Sequence, residues 1–220
     1  MLKAQDQNLQ EWLEVVDAVY SGNGISREAL FVHGWTDLVP ETMEFVAELY
    51  RESGHPAVVL NGLSSYGIGA PGFSECRELL VAKGVAPSAI YEIGEAKQTA
   101  EEARGFMTFA KSRGISSATI VTVPQHLLRA FLVNLAFMQA ERLELSLYPR
   151  TLPRERFEWE DTYEFMPLLR KEPERATRLA RFAAECVRII DYRARFEAGD
   201  EAHRIANISE AHRYLHAHQK

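Results

Sequence analysis

Ser116 to Arg129 reads SSATIVTVPQHLLR. Ala118 to Val123 is a short apolar, β-branched run of the kind that fills a strand buried on both faces of a parallel sheet. Pro124 cannot donate to a strand ladder and stops it. From His126 to Gln139 apolar residues recur at three- and four-residue steps, which predicts a helix. A strand running into a helix leaves a crevice at the carboxyl end of the strand, where open α/β sheets bind ligands. His126 and Arg129 stand there, three residues apart and so on one helix face. An imidazole beside a permanent guanidinium suits a phosphate, a carboxylate or a nucleotide.

The alternation continues on either side. Residues 6–20 carry Leu9, Trp12, Leu13, Val16 and Val19 on one helical stripe. Ala29 to Val32 predicts a strand running into HGWTD, and Pro40 to Glu52 a helix. Ala57 to Leu60 predicts a second strand, closing on Asn61-Gly62. The stretch LSSYGIGAPG that follows is longer than an ordinary strand–helix link, as functional loops are. Ser74 then caps a helix with Glu75 in its first turn. Ala89 to Ile93 predicts a weak strand, Gln98 to Ser112 a helix and Leu143 to Tyr148 a fifth strand. This pattern predicts an α/β fold in three layers, a mostly parallel sheet of about five strands with helices on both faces.

Pro149 and Pro153 mark a change of character. Residues 1–149 read as the α/β ligand-binding domain and 150–220 as a helical C-terminal extension packed on it. Residues 150–170 look irregular, with Phe157, Trp159, Tyr163 and Phe165 packing on the sheet domain. Pro173 to Phe196 predicts a long helix with Ala176, Leu179, Phe182, Ala183, Cys186 and Ile190 along one side, and Asn207 to His218 a short last helix.

The 220 residues are 46% apolar and 25% charged, ordinary for a soluble globular protein. A formal net charge of −6 argues against non-specific nucleic-acid binding, which needs clustered Lys and Arg. No apolar run is long enough to span a membrane, and MLKAQDQNLQEW lacks the apolar core of a signal peptide, so the chain reads as cytoplasmic. Cys76 and Cys186 lie far apart without zinc spacing and read as free thiols.

Four strand ends carry small or polar residues: His33-Gly34, Asn61-Gly62, the loop before Thr99, and Thr122 to His126. In a parallel sheet all open on one edge. Glycine at 34 and 62 lets a ligand approach the backbone, and serves a tight turn equally well. Thr99 fits an N-cap with Glu102 closing a capping box, which leaves Glu101 free to act as a general acid or base or to hold a ribose hydroxyl. His33-Gly34-Trp35 matches the HG segment near an α/β-hydrolase oxyanion loop, but Gly62-Leu63-Ser64-Ser65-Tyr66 lacks the last glycine of a nucleophile elbow. His212 and His216, four apart, have metal-ligand spacing without an evident third ligand, and read as a solvated helix surface.

These residues, in this order, resemble the YdcF/SanA/ElyC-like family of bacterial proteins over about residues 28 to 140. The strand ending Phe31-Val32-His33-Gly34 matches its first glycine turn. Asn61-Gly62 matches the second turn, with Leu63 in place of a glycine. Ser74-Glu75 matches the pair opening the next helix. Thr99 and Glu101 keep a Thr-x-Glu motif in which Glu102 replaces the usual Asn. The closing motif is whole in Thr122, His126, Arg129 and Ala130. The resemblance implies a Rossmann-like fold and a nucleotide-type ligand, with S-adenosylmethionine suggested within the group. It places His33, Gly34, Asn61, Gly62, Ser74, Glu75, Thr99, Glu102, Thr122 and Arg129 around the ligand.

Three functions compete. A small-molecule enzyme, a transferase or hydrolase, would use Arg129 to hold negative charge and Glu101 or His126 to move a proton. A sensing module would use the same crevice without turnover. An interaction protein would pair its C-terminal helices with a second copy.

Overall fold

A computed structural model describes residues 2–22, 24–65, 71–165 and 174–218. The middle of the Gly/Ser-rich stretch, 66–70, and residues 166–173, which include the expected helix start at Pro173, lie outside the described residues. Helix α1 (Leu2–Ser21) precedes strand β1 (Ala29–Val32). Then follow α2 (Val39–Glu52), β2 (Ala57–Leu60), α3 (Phe73–Ala82), β3 (Ile90–Glu92), α4 (Thr99–Arg113), β4 (Ser117–Val121), α5 (Leu127–Ala140) and β5 (Ser146–Arg150). The last third contributes an antiparallel pair, β6 (Thr162–Phe165) and β7 (Glu174–Thr177), and helices α6 (Arg178–Glu197) and α7 (Ile208–His218).

Five strands form one parallel sheet in the order β3-β2-β1-β4-β5. Successive residues along a strand face opposite sides of the sheet, and each side has its own core. Phe31, Val59, Ile120 and Leu147 pack with α1, α4, α5 and α7. Leu30, Val32, Val58, Leu60 and Val121 pack with α2 and α3. The result is a three-layer Rossmann-like fold. The chain runs outward from β1 through β2 to β3, then crosses back to β4. The sheet therefore opens a crevice between the carboxyl ends of β1 and β4.

The last seventy residues share these cores. Ile189, Ile205, Ala206, Ile208, Ala211, Tyr214 and Leu215 belong to the same cluster as Phe31 and Ile120, and Leu152 and Phe157 join the opposite one. Their cover explains why α5 is buried on every side from Leu127 to Met138. A helix apolar all round needs neighbours all round.

Two expected elements move. The fifth strand lies at 146–150, with Pro149 inside it paired to Ile120. An edge strand tolerates a proline on its unpaired side. The long C-terminal helix starts at Arg178, because Glu174 to Thr177 pair with β6 instead. Thr177 caps it, its hydroxyl accepting from the Ala180 N–H at 3.1 Å. No helix among the described residues is long and apolar enough to cross a membrane.

Gly62, after β2, lies against Gly94, after β3, and its N–H donates to the Gly94 carbonyl at 2.8 Å. A Cβ at 62 would sit 2.8 Å from the Gly94 carbonyl carbon, and backbone cannot swing aside as a side-chain tip can. Gly62→Ala is expected to cost about 1–3 kcal/mol of stability, read as a lower denaturant midpoint at unchanged slope.

Candidate functional site

The strand ends between β1 and β4 gather buried polar side chains from six elements. His33 follows β1, Asn61 follows β2 and Thr122 follows β4. Thr99 and Glu102 come from the first turn of α4, and Gln125 and His126 from the turn before α5. Arg129 and Asn134 come from α5, and Arg178, Arg181 and Glu185 from α6. All are buried. Burial of so many polar groups is tolerated only when they satisfy one another.

Most of them do so, in two layers. The inner one centres on Glu102. One carboxylate oxygen faces His33 Nδ1 at 2.9 Å, and the other accepts from the Gly34 N–H and the Asn61 amide, each at 2.9 Å. The Asn134 amide faces His33 Nε2 at 2.6 Å and donates to the Ala130 carbonyl at 2.8 Å. Asn61 also donates to the Ala96 carbonyl and accepts from the N–H groups of Leu63 and Ala96. Burial alone would raise the Glu102 carboxyl. The His33 imidazole and the two amide donors outweigh it and hold the group below the ordinary carboxylate range. This layer ties β1, β2, α4 and α5 together.

The outer layer centres on Glu185, from the far end of the sequence. Its carboxylate accepts from Arg129 Nε, and from Arg188 at 2.9 Å, and lies 3.2 Å from His126 Nδ1. Arg181 stands 3.8 Å away. Arg129 also donates to the Thr99 hydroxyl at 3.0 Å, which lies 3.4 Å from His126 Nε2. The His126 ring stacks on Trp35 with centroids 4.4 Å apart and meets His33 edge-on. Burial, and then the Arg129 cation, push His126 down to about 4, with Glu185 opposing in part. Burial would raise Glu185, but the Arg129 charge and His126 hold it far below its ordinary value. Near neutral pH the site therefore holds an ionised carboxylate, a guanidinium and an uncharged imidazole.

A third contact anchors the start of α6. Arg178 grips Asp37 with two parallel bonds, at 2.7 and 3.0 Å, and Gln125 donates to the same carboxylate at 3.1 Å. Helix α6 thus lies over the crevice with its polar residues inward. Arg178, Arg181, Glu185 and Ile189 are buried, while Leu179, Val187 and Ile190 are more than half exposed. The expected apolar stripe is split, with Leu179 and Ile190 exposed and Phe182 half-buried against Tyr20 and Trp159. A cavity of about 20 Å³ lies at the ends of β1 and β2 toward α2, lined in part by His33, Gly34, Trp35, Asp37, Thr42 and Asn61. That is room for about one water-sized body. The hydroxyls of Thr42 and Thr122 and the side-chain oxygen of Gln125 are buried without a hydrogen-bond partner among the described residues.

The structure brings His33, Gly34, Asn61, Thr99, Glu102, His126 and Arg129 into one network, with Thr122 buried beside it. Glu101, Ser74 and Glu75 stand outside it, all exposed. The roles of the two adjacent glutamates are exchanged relative to expectation. Glu101 accepts from the Lys97 N–H at 2.6 Å, while Glu102 turns into the crevice. Gln98, not Thr99, is the N-cap of α4, which frees the Thr99 hydroxyl for Arg129. Gly72 rather than Ser74 caps α3, and Glu75 closes that turn by accepting from the Gly72 N–H at 2.5 Å. Gly62 serves the packing of two loops. Sequence reasoning missed Trp35, Asp37, Gln125, Asn134, Arg178, Arg181 and Glu185. Asn134 had a signal, as the one polar residue in the run FLVNLAF. Glu185 had none, since it sits among other charges in RFAAECVR.

No protein-family model, no curated protein and no solved structure matches the chain.

Removing one partner of a buried ion pair strands the other. Glu185→Ala is expected to destabilise by about 3–5 kcal/mol in chemical denaturation at pH 7.5. His126 sets an acid limit. Its folded value near 4 lies below the ordinary 6.5, so the unfolded chain binds the proton more readily between these values. Stability is full above pH 6.5 and falls by roughly 3 kcal/mol as the pH drops toward 4. Glu102 and Glu185, whose folded values are depressed, add their losses only below about pH 4.3. His126→Gln is expected to flatten the profile between about pH 6.5 and 4.5, and an unchanged slope there would reject the assignment.

Proposed function

We propose that the chain binds a small anionic molecule, phosphorylated or of nucleotide type, at the carboxyl ends of β1 and β4, with Arg129 holding its negative charge. The observation that carries this reading is the buried carboxylate of Glu185, set on Arg129 and His126 at the switch point of the sheet. A phosphate or carboxylate offers the same acceptor oxygens. In this reading α6 acts as an internal stand-in for the ligand and yields to it. The resemblance to the YdcF/SanA/ElyC-like family supports a nucleotide-type choice, and S-adenosylmethionine carries a carboxylate that Arg129 would receive.

The carboxylate of Glu185 fills the place beside Arg129 and His126, and the nearby cavity at the ends of β1 and β2, about 20 Å³, is far smaller than a ligand pocket, which runs to about 300–1,000 Å³. Binding is therefore coupled to displacement of α6. His126, uncharged near neutral pH and beside Thr99, is placed to accept a proton once Glu185 has left. That is the route to transferase or hydrolase chemistry. Without turnover the same exchange makes a sensor whose output is the position of α6.

The test is calorimetric titration and thermal denaturation with S-adenosylmethionine, AMP and inorganic phosphate. The proteins are wild type, Glu185→Ala and Glu185→Ala/Arg129→Gln. Removing the internal competitor is expected to tighten binding of at least one of these ligands by about tenfold or more, and the bound ligand is expected to restore part of the lost thermal stability. Arg129→Gln is expected to erase both effects. If none of the three ligands binds or rescues Glu185→Ala, or if binding is indifferent to Arg129, the reading fails.

A further inference from the structure

The two histidines that lacked a third ligand in the sequence acquire one in the fold. Helix α7 lies along α1, and Glu14 of α1 faces His212 and His216. His212 Nε2 is 2.6 Å from Glu14 Oε2, His216 Nε2 is 2.9 Å from His212 Nε2, and His216 Nε2 is 3.7 Å from Glu14 Oε2. Three atoms that each carry a lone pair when deprotonated thus converge on one point. A single hydrogen cannot serve all three contacts, because a protonated Nε2 on His212 can be given to the carboxylate or to His216 but not to both at good geometry.

We propose that Glu14, His212 and His216 form a site for a divalent transition ion of the zinc type. Ligand atoms around a tetrahedral zinc stand about 3.3 Å apart, given bonds of about 2.0–2.1 Å. The three observed spacings straddle that value, so side-chain adjustments of well under an ångström admit the ion. The i, i+4 spacing on α7 is fixed by the helix, and the carboxylate comes from a different helix, as in built sites. Gln10, one turn earlier on α1, donates to the other oxygen of Glu14 at 2.8 Å and leaves Oε2 turned to the histidines. The three ligands line a groove of about 310 Å³ together with Asp17, so the fourth position is open to water. Asp17 adds negative potential beside it. Two imidazoles and one carboxylate select zinc, nickel or copper over calcium and magnesium, which require oxygen ligands. A bound ion would bridge α1 and α7, joining the first helix of the chain to the last.

The full chain, stripped with a chelator and dialysed, is titrated with Zn²⁺ against a chromophoric competitor and, separately, with Co²⁺ read by visible absorption. One ion per chain is expected, with the intense visible bands of four-coordinate Co²⁺, a raised melting temperature and no response to Ca²⁺. Gln10→Ala is expected to weaken Zn²⁺ binding about tenfold. Glu14→Gln, His212→Ala and His216→Ala are each expected to weaken it further, while His55→Ala and His203→Ala leave it unchanged. Glu14→Gln is the decisive variant, since a histidine pair on one helix binds zinc weakly without help. The proposal is overturned if wild type binds no Zn²⁺ beyond the level of His212→Ala/His216→Ala, or if Glu14→Gln binds as tightly as wild type. All these positions are at least partly exposed, so circular dichroism of the metal-free variants separates lost ligation from lost folding.

Discussion

Glu185 carries its charge to a place water does not reach, between Arg129 and His126. An unpaired carboxylate there would cost several kcal/mol. Ringed by Arg129, Arg181 and Arg188 it stays ionised, and the helix that bears it is drawn onto the crevice polar side first. Much else follows from that contact. Residues 178–218 come back over α5, and the far face of α5 becomes core. The apolar residues Leu179, Val187 and Ile190 are left facing outward because the inward face is taken by charge.

The two polar layers differ in what they hold. The Glu102 layer joins segments that the sheet already brings together, β1, β2 and α4, with backbone amides among its donors. The Glu185 layer joins the sheet to a helix from the other end of the chain through side chains alone. Backbone donors are fixed by the fold, whereas side-chain partners can be exchanged for those of another molecule. The open Rossmann-like sheet thus carries a polar floor fixed by backbone donors and a polar cover held by side chains alone at one place, set by the reversal of strand order beside β1.

Sequence patterning located the sheet closely and the cover poorly. The strands ALFV and AVVL stand out residue for residue, because each is a short apolar run bounded by polar or turn residues. The fifth strand lies later than the run LELSLY suggests, because a proline on the unpaired side of an edge strand does not end it. ERAT at 174–177 is polar and helix-compatible, so nothing local announces that it pairs with β6. Helix α6 defeated the rule that the apolar stripe faces inward, a rule that assumes an apolar surface to receive it. Glu101 and Glu102 show a finer failure. Neighbours on a helix point about 100° apart, and a capping pattern in the sequence does not give the phase that decides which one meets the crevice. His33, Thr99, His126 and Arg129 were legible because each sits at a strand end or in the first turn of a helix, where the fold class itself dictates position.

The way α6 is fastened also fixes its index along the sheet. An oily stripe can slide by a residue or roll by a fraction of a turn with little penalty, because methyl groups do not distinguish partners. Here a two-pronged grip at Arg178 and a wedge at Glu185 lie seven residues apart, about 10 Å along the axis. Both must find their counterparts at once. Intermediate settings leave charges stranded, so the helix is held at one discrete setting, as a bolt is by a latch.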